Sequence, residues 1–313
     1  MSTTRPVFVY KSDPVRGEVW AKLFAEQAPQ YDFRTWPDTG DPAAVRYLYA
    51  WIPPPDLMQF FPNLRVLFSA GAGVDQFDFD ALPAGLPVVR MIERGIEEAM
   101  VEYAICAVLS LHRNLPQYLR QQAQAEWHPI RLVRASRRRI GVLGMGVLGQ
   151  SVLARLASFG FDCAGWSRSR HAVAGVQSFA GHDELPAFLR RTEILICLLP
   201  LTDATRGILN AEIFAMLPAG AQLVHVGRGP HLVDADLRAA LDSGHLSQAI
   251  LDVCDPEPPP AGHWLWRHPR VWLTPHIASM TQPETAVEVT LANLRRFENG
   301  EAMLGLVDRD IGY

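Results

Sequence analysis

The stretch Arg139-Ile-Gly-Val-Leu-Gly144-Met-Gly146-Val-Leu-Gly149 decides the fold. Its apolar run, Ile140 to Leu143, reads as a buried parallel strand. The run ends in G-x-G-x-x-G and continues into a helical pattern, Val147 to Phe159, which Gly160 closes. Phe161 to Trp166 reads as the next strand. Strand, glycine turn, helix and strand form a βαβ unit with the dinucleotide fingerprint in its required setting. Gly144 permits the tight turn, Gly146 lets a pyrophosphate approach the backbone, and Gly149 lets helix and strand pack closely. The helix start at Val147 and Leu148 offers its N–H groups to the phosphates.

The end of the second strand selects the cofactor. A unit for NAD ends this strand with an acid that holds the ribose hydroxyls. Here Ser167, Arg168, Ser169 and Arg170 stand in that place. An acid repels a 2′-phosphate, whereas guanidiniums and hydroxyls donate to it. NADPH is expected over NADH.

The chain has 313 residues, enough for two domains. Hydrophobic residues make up 49% and charged residues 20%, the balance of a soluble globular protein. A net charge of −4 gives no basis for binding nucleic acid or an anionic membrane. The basic run Arg137-Arg138-Arg139 reads as a solvated connection. Met1 to Pro6 leads straight into a predicted strand without a signal pattern, and the longest apolar run, Ile194 to Leu201, is too short to span a bilayer. Cys106, Cys163, Cys197 and Cys254 lie within apolar patterns, as reduced, buried thiols of a cytoplasmic protein do. Cys254, His263 and His268 match no common zinc spacing, so no metal is expected.

Before the fingerprint, strands are predicted at Val7 to Tyr10, Tyr47 to Ile52, Val66 to Ser69 and Val88 to Met91, with a helix over Val15 to Gln27. A long helix follows from about Glu97, with Val101, Ile105, Val108 and Leu109 as its apolar stripe. Pro116 opens another. After the first βαβ unit, strands are predicted at Ile194 to Leu199, Gln222 to Val226, Ala249 to Val253 and Val271 to Leu273. Asn210 to Met216 and Asp234 to Ser243 are among the helices between them. The alternation implies an α/β protein of two doubly wound parallel sheets. One is a Rossmann-type cofactor domain over 98–281. The other is a smaller flavodoxin-like substrate domain over 1–97 and 282–313, rejoined by the helix Glu284 to Asn299. Hinges are expected near Glu97 and Met280, with a cleft that closes over substrate. No repeat or low-complexity segment interrupts this order, and Pro53 to Pro55 and Pro256 to Pro260 read as stiff loops beside a site.

Three ionisable residues stand just past predicted strands: Arg228 in Val226-Gly-Arg-Gly229, Glu257 in Asp252-Val-Cys-Asp-Pro-Glu257, and His276 in Leu273-Thr-Pro-His-Ile277. Ligands of open α/β sheets bind outside the carboxyl ends of the strands, so these three are expected in one crevice. Together with Gly71-Ala-Gly-Val-Asp75, Trp166-Ser-Arg-Ser-Arg170, Pro200-Leu-Thr202 and the fingerprint, they run in an order that resembles the D-isomer-specific 2-hydroxyacid dehydrogenase family. Within that family the chain is most similar to the glyoxylate/hydroxypyruvate reductase A type, over almost its whole length.

The resemblance implies the roles. Arg228 binds the carboxylate and carbonyl of a 2-oxo acid and stabilises the developing alkoxide. His276 donates a proton to that oxygen, and a histidine's reference pKa of about 6.5 suits transfer in both directions. Glu257 holds the ring and favours its protonated form. Ala72 and Gly73 resemble the loop whose N–H groups receive the substrate carboxylate, and Trp51 resembles the Trp of the substrate pocket. Leu199, Pro200, Thr205, Val226, Gly227 and Asp252 join the cofactor-binding set, Asp252 as acceptor for the nicotinamide amide. Trp264 and Trp266 are candidates for the pocket wall. The implied enzyme is a cytoplasmic, homodimeric, NADPH-dependent reductase of glyoxylate and hydroxypyruvate. The alternatives are a dehydrogenase of another small 2-oxo acid and, from another class, a non-enzymatic dinucleotide-sensing corepressor.

Overall fold

The computed structural model describes residues 5–309. In chain order the elements begin with β1 (Val7–Lys11), α1 (Pro14–Gln27), β2 (Asp32–Thr35), β3 (Val45–Ala50), α2 (Leu57–Phe60), β4 (Val66–Ser69) and β5 (Val88–Val89). Next come α3 (Arg94–His112), α4 (Leu115–Ala123), β6 (Arg139–Leu143), α5 (Val147–Ser158), β7 (Asp162–Ser167), β8 (Val176–Ala180), α6 (Gly181–Arg191) and β9 (Ile194–Cys197). The chain continues through α7 (Ala211–Met216), β10 (Ala221–His225), α8 (Asp234–Asp242), β11 (Leu246–Leu251), β12 (Val271–Leu273) and α9 (Pro283–Glu298). It divides into two compact units, one ending at Ile96 and resuming at Met280, the other spanning Glu97–Ser279.

The first unit holds a five-stranded parallel sheet in the order β2-β1-β3-β4-β5, the flavodoxin-like arrangement. Period-2 alternation sends neighbouring side chains of β1 and β3 to opposite faces. Val7, Val9, Leu48 and Ala50 enter an aliphatic core with Leu57, Phe61 and Leu67. Phe8, Tyr10, Tyr47 and Tyr49 face the other way, into an aromatic cluster with Trp20 and Phe24 of α1.

The second unit holds a seven-stranded parallel sheet in the order β12-β11-β10-β9-β6-β7-β8. This is the Rossmann order, and its switch point lies between β6 and β9. Both faces are covered, so the central strands are mostly apolar. Leu195 and Cys197 of β9 enter one core and Ile194 and Ile196 the other. Leu223 and Val224 of β10 divide in the same way.

Several boundaries differ from expectation. β9, β10 and β11 stop short of the apolar runs that predicted them. Leu199, Val226 and Val253 remain buried after the ladders end, because the chain turns inward at the carboxyl edge. On α3 the buried face is Met100, Ala104, Ala107, Val108 and Leu111, with Val101, Ile105 and Leu109 only partly covered. Its two alanines allow close approach to the sheet. Cys106 lies off that face and is exposed, unlike the other three cysteines. β2 and β8 were not foreseen. Both are edge strands with little fully buried side-chain surface, so their apolar signal is weak.

Glu93, 5% exposed, joins the starts of two helices in the first unit. Its carboxylate accepts from the Gly95 and Ile96 N–H groups at the head of α3. It also accepts from the Gln282 N–H and the Thr285 hydroxyl at the head of α9. Replacing Glu93 with Ala removes two helix caps at once, each worth about 1 kcal/mol. The thermal midpoint of the protein is expected to fall by roughly 4–8 °C; an unchanged melting curve would show the caps to be idle.

Candidate active site

Register sets the stage. Leu143 pairs with Cys197, Cys197 with His225, His225 with Leu251, and Leu251 with Leu273. Five strands therefore end on one line, and the segments after them emerge together.

At the first of these ends the fingerprint folds as its residue types require. Gly144 has φ +104, and a Cβ there would lie 2.7 Å from the Leu198 carbonyl oxygen. A Cβ on Gly149 would fall 1.8 Å from the Gly144 carbonyl oxygen, so only glycine lets α5 seat on β6. Space around Gly146 is open, and no side chain caps α5 there. The N–H groups of Val147, Leu148 and Gly149 precede the first helical bond to the Gly146 carbonyl, which Gln150 makes. A bare helix start beside open space fits a pyrophosphate.

After β7, Ser167 Oγ donates to the Ser169 carbonyl at 2.6 Å. Arg170 is committed to the Ser178 carbonyl and to Glu184. The Ala180 N–H and then Arg170 hold the Glu184 carboxyl below its ordinary range. Arg170 thus braces the loop, and Ser167, Arg168 and Ser169 are the nearer candidates for a 2′-phosphate. In the loop after β9, Leu199 is buried, and Thr205 Oγ1 donates to the Pro200 carbonyl at 2.7 Å.

The ends of β10, β11 and β12 bring the three ionisable residues toward one another. Gly229 is the contact point: a Cβ on it would lie 2.0 Å from the Cys254 carbonyl oxygen. The Arg228 loop therefore lies against the Glu257 loop. Glu257 Oε2 accepts from His276 Nδ1 at 2.7 Å, and its Oε1 accepts from the Cys254 N–H at 3.2 Å. Burial alone would raise the Glu257 carboxyl. The bond and charge of His276, the Cys254 N–H and the Arg228 charge outweigh it and hold the group below its usual range.

His276 itself has φ +53, a left-handed conformation that costs a non-glycine residue about 1 kcal/mol or more. Asp252, 2% exposed, holds it there. The Asp252 carbonyl accepts the His276 N–H at 2.9 Å. Asp252 Oδ1 accepts from Thr274 Oγ1 at 2.6 Å and from the Ile277 N–H at 2.9 Å, and Oδ2 accepts from the Ala278 N–H at 2.8 Å. Tyr103 of α3 shares a 2.6 Å bond with the Thr274 hydroxyl. In this structure Asp252 organises the loop of the histidine, a task not foreseen in the sequence.

Two histidines flank Arg228 and were also missed. His225 Nε2 lies 2.9 Å from the Arg228 carbonyl, and the Arg228 N–H donates to His231 Nδ1 at 2.9 Å. The available signal was a polar residue inside an otherwise apolar strand, since such a group must be paired when buried. Cys254, His263 and His268 each have a partner of their own: Cys254 contacts the Pro256 carbonyl, His263 faces Asp234, and His268 faces Asp242. Trp264 donates to Asp234 and packs against the core, while Trp266 is half exposed and donates to the Pro260 carbonyl.

In the first unit, Ser69 holds the turn that carries Ala72 and Gly73. Its hydroxyl donates to the Gly73 carbonyl at 2.9 Å and accepts from the Gly71 N–H at 3.2 Å. Trp51 lies against this turn, its ring 2.9 Å from where a Cβ of Gly71 would stand.

Residues 105–278 match the family described as D-isomer specific 2-hydroxyacid dehydrogenase, NAD binding domain. The chain is 42% identical, over 95% of its length and 96% of the relative's, to glyoxylate/hydroxypyruvate reductase A of Serratia proteamaculans (strain 568). The chain belongs to the D-isomer specific 2-hydroxyacid dehydrogenase family. It is therefore an oxidoreductase. Among solved members, the enzyme of Xanthobacter autotrophicus Py2 in complex with NADPH and MES gives a TM-score of 0.94 at 40% identity, covering 99% of this chain and 100% of that one. The NADPH-dependent glyoxylate/hydroxypyruvate reductase of Sinorhizobium meliloti, in complex with NADP and sulfate, gives 0.91 at 34% identity, covering 99% and 100%.

Asp252→Asn turns an acceptor of three hydrogen bonds into a group with one donor facing donors. The expected cost is about 1–3 kcal/mol of stability, read from urea unfolding. Turnover should fall with it, because the histidine loop loses its tie; a variant of unchanged stability and rate would remove Asp252 from this role.

Proposed function

We propose that the protein reduces short 2-oxo acids with NADPH, converting glyoxylate to glycolate and hydroxypyruvate to D-glycerate. The observation that carries this reading is the 2.7 Å bond between His276 Nδ1 and Glu257 Oε2, beside the charge of Arg228. With Nδ1–H committed to the carboxylate, Nε2 is the ring nitrogen left for substrate. Arg228 clamps the carboxylate and the carbonyl oxygen of the acid and so fixes its plane. Bound NADPH supplies the hydride that enters the carbonyl carbon. The imidazolium of His276 gives its Nε2 proton to the carbonyl oxygen, leaving a neutral ring and a hydroxyl. Glu257 stabilises the charged ring before the transfer, and Arg228 stabilises charge that develops on oxygen during it.

The family's pattern gives the substrate carboxylate to the N–H groups of Ala72 and Gly73, with Trp51 beside them. The first unit is accordingly taken as the substrate domain and Glu97–Ser279 as the cofactor domain. The preference for NADPH rests on Ser167, Arg168 and Ser169 in place of an acid, and on the relatives that carry NADP or NADPH. A homodimer is the expected assembly. Leu119, Trp127 and Leu132, at 50%, 94% and 59% exposure, are apolar side chains of the second unit that a second copy could cover. Among the described residues no helix is long and apolar enough to cross a membrane, and the four cysteines are free. Free thiols fit the cytoplasm.

Steady-state rates across glyoxylate, hydroxypyruvate and longer 2-oxo acids, each with NADPH and with NADH, test this reading. The two short acids with NADPH should give the highest kcat/KM; equal use of NADH would reject the coenzyme assignment, and preference for a longer acid the substrate. His276→Ala should lower turnover by about 10²–10⁴ while NADPH still binds. Near-normal turnover would take His276 out of the proton step.

A further inference from the structure

The end of β10 reads Leu223-Val-His225-Val226, with a histidine where the sheet is fully buried. His225 and His231 are both 0% exposed, and their rings meet edge to face at 5.8 Å. A buried imidazole is costly unless its polar atoms are paired. The pairing here converges on one residue. His225 Nε2 faces the Arg228 carbonyl at 2.9 Å; a carbonyl only accepts, so Nε2 carries the proton. The Arg228 N–H donates to His231 Nδ1 at 2.9 Å, so that nitrogen is bare. His231 Nε2 then carries the proton and donates to the Pro200 carbonyl at 3.1 Å. Both peptide groups of Arg228 are thus gripped, its N–H by one ring and its carbonyl by the other.

Gly227 makes room for this grip. A Cβ there would stand 2.9 Å from His231 Nδ1 and 3.4 Å from His225 Cε1. Burial above all, with the Arg228 charge nearby, pushes His225 down to about 3, so its ring stays neutral wherever an enzyme works. The cluster does not read as a metal centre, although Cys197, His225 and His231 bring ligand atoms within 4.8 Å of one another. Both nitrogens of His231 are in use, and burial pushes the Cys197 thiol up to about 12. Of the four ring nitrogens, His225 Nδ1 alone has no hydrogen-bond partner.

We propose that His225 and His231 are positioning residues for Arg228, two neutral rings that hold its backbone from either end and so aim its guanidinium at the 2-oxo acid. The inference rests on the functional reading above, in which Arg228 binds that acid. The grip acts on the chain on both sides of the Arg228 Cα, so loosening one end swings the side chain. A displacement of about 1 Å at such a group can cost up to 10²-fold in rate.

The test compares His231→Leu, which fills the space but accepts nothing, with His231→Asn, whose Oδ1 can take the place of Nδ1. Each is measured for kcat and KM with glyoxylate, for NADPH affinity by fluorescence, and in the Arg228→Ala background. His231→Leu should raise KM and lower kcat, with kcat/KM down about 10- to 100-fold and NADPH affinity within twofold. His231→Asn should recover most of that loss. In the Arg228→Ala background, His231→Leu should add less than about twofold, as expected when one residue acts through the other. If His231→Leu does not fold, His225→Leu and His225→Gln make the same comparison at the carbonyl end. The proposal is overturned by an equal loss in both backgrounds, by a loss confined to NADPH affinity, or by His231→Leu with normal kcat/KM. A wild-type protein inactive on every 2-oxo acid overturns the functional reading itself, and the positioning role with it.

Discussion

Parallel hydrogen bonding brings β6, β9, β10, β11 and β12 to an end on a common line, and everything chemical in the second unit depends on that alignment. A parallel ladder fixes register by the slant of its bonds and by the core residues on each face. A slip of one residue in β10 would send Leu223 to the core that holds Val224, and would carry Arg228 away from the Glu257 loop. The two aliphatic cores that enforce hydrophobic alternation therefore also hold a guanidinium, a carboxylate and an imidazole at one edge.

The segments beyond the ladder show what the alignment demands locally. Gly144, Gly149 and Gly229 each stand where a Cβ would strike a carbonyl oxygen. The first sets the turn after β6 against the segment after β9, the second seats α5 on that turn, and the third sets the Arg228 loop against the Glu257 loop. His276 is not a glycine, yet it takes a left-handed backbone. The hydrogen bonds of Asp252 offset that strain, so the conformation is set by its neighbours rather than by its own preference.

These details also mark what could be read in the sequence. The central strands announced themselves because both of their faces are buried. The edge strands β2 and β8 did not, because a half-exposed strand has no continuous apolar run. Arg228, Glu257 and His276 were legible as ionisable residues just past apolar strands, in a family order of short motifs. His225, His231, Thr274 and Tyr103 were not, because they act through backbone groups and hydroxyls that no spacing rule reveals. Asp252 was legible as a site residue, but its hold on the 274–278 loop depends on where the backbone folds back, which is a tertiary fact. Arg170 looked like a phosphate ligand by residue type, yet Glu184, on a helix that had not been foreseen, claims its guanidinium.

One residue type serves opposite ends in this edge, and the environment decides which. His276 has a side chain 34% exposed and a carboxylate on Nδ1. His225 has no exposure, a cation on the neighbouring residue loop, and a carbonyl rather than a carboxylate as partner. A carbonyl bond is too weak to offset the loss of hydration of an imidazolium, so that ring remains neutral. Neutrality is what a backbone clamp requires: a protonated His231 would turn a donor toward the Arg228 N–H and release it. A second positive charge beneath Arg228 would also oppose the guanidinium above it. Desolvation thus keeps His225 out of acid–base chemistry and leaves it a neutral partner for the Arg228 carbonyl.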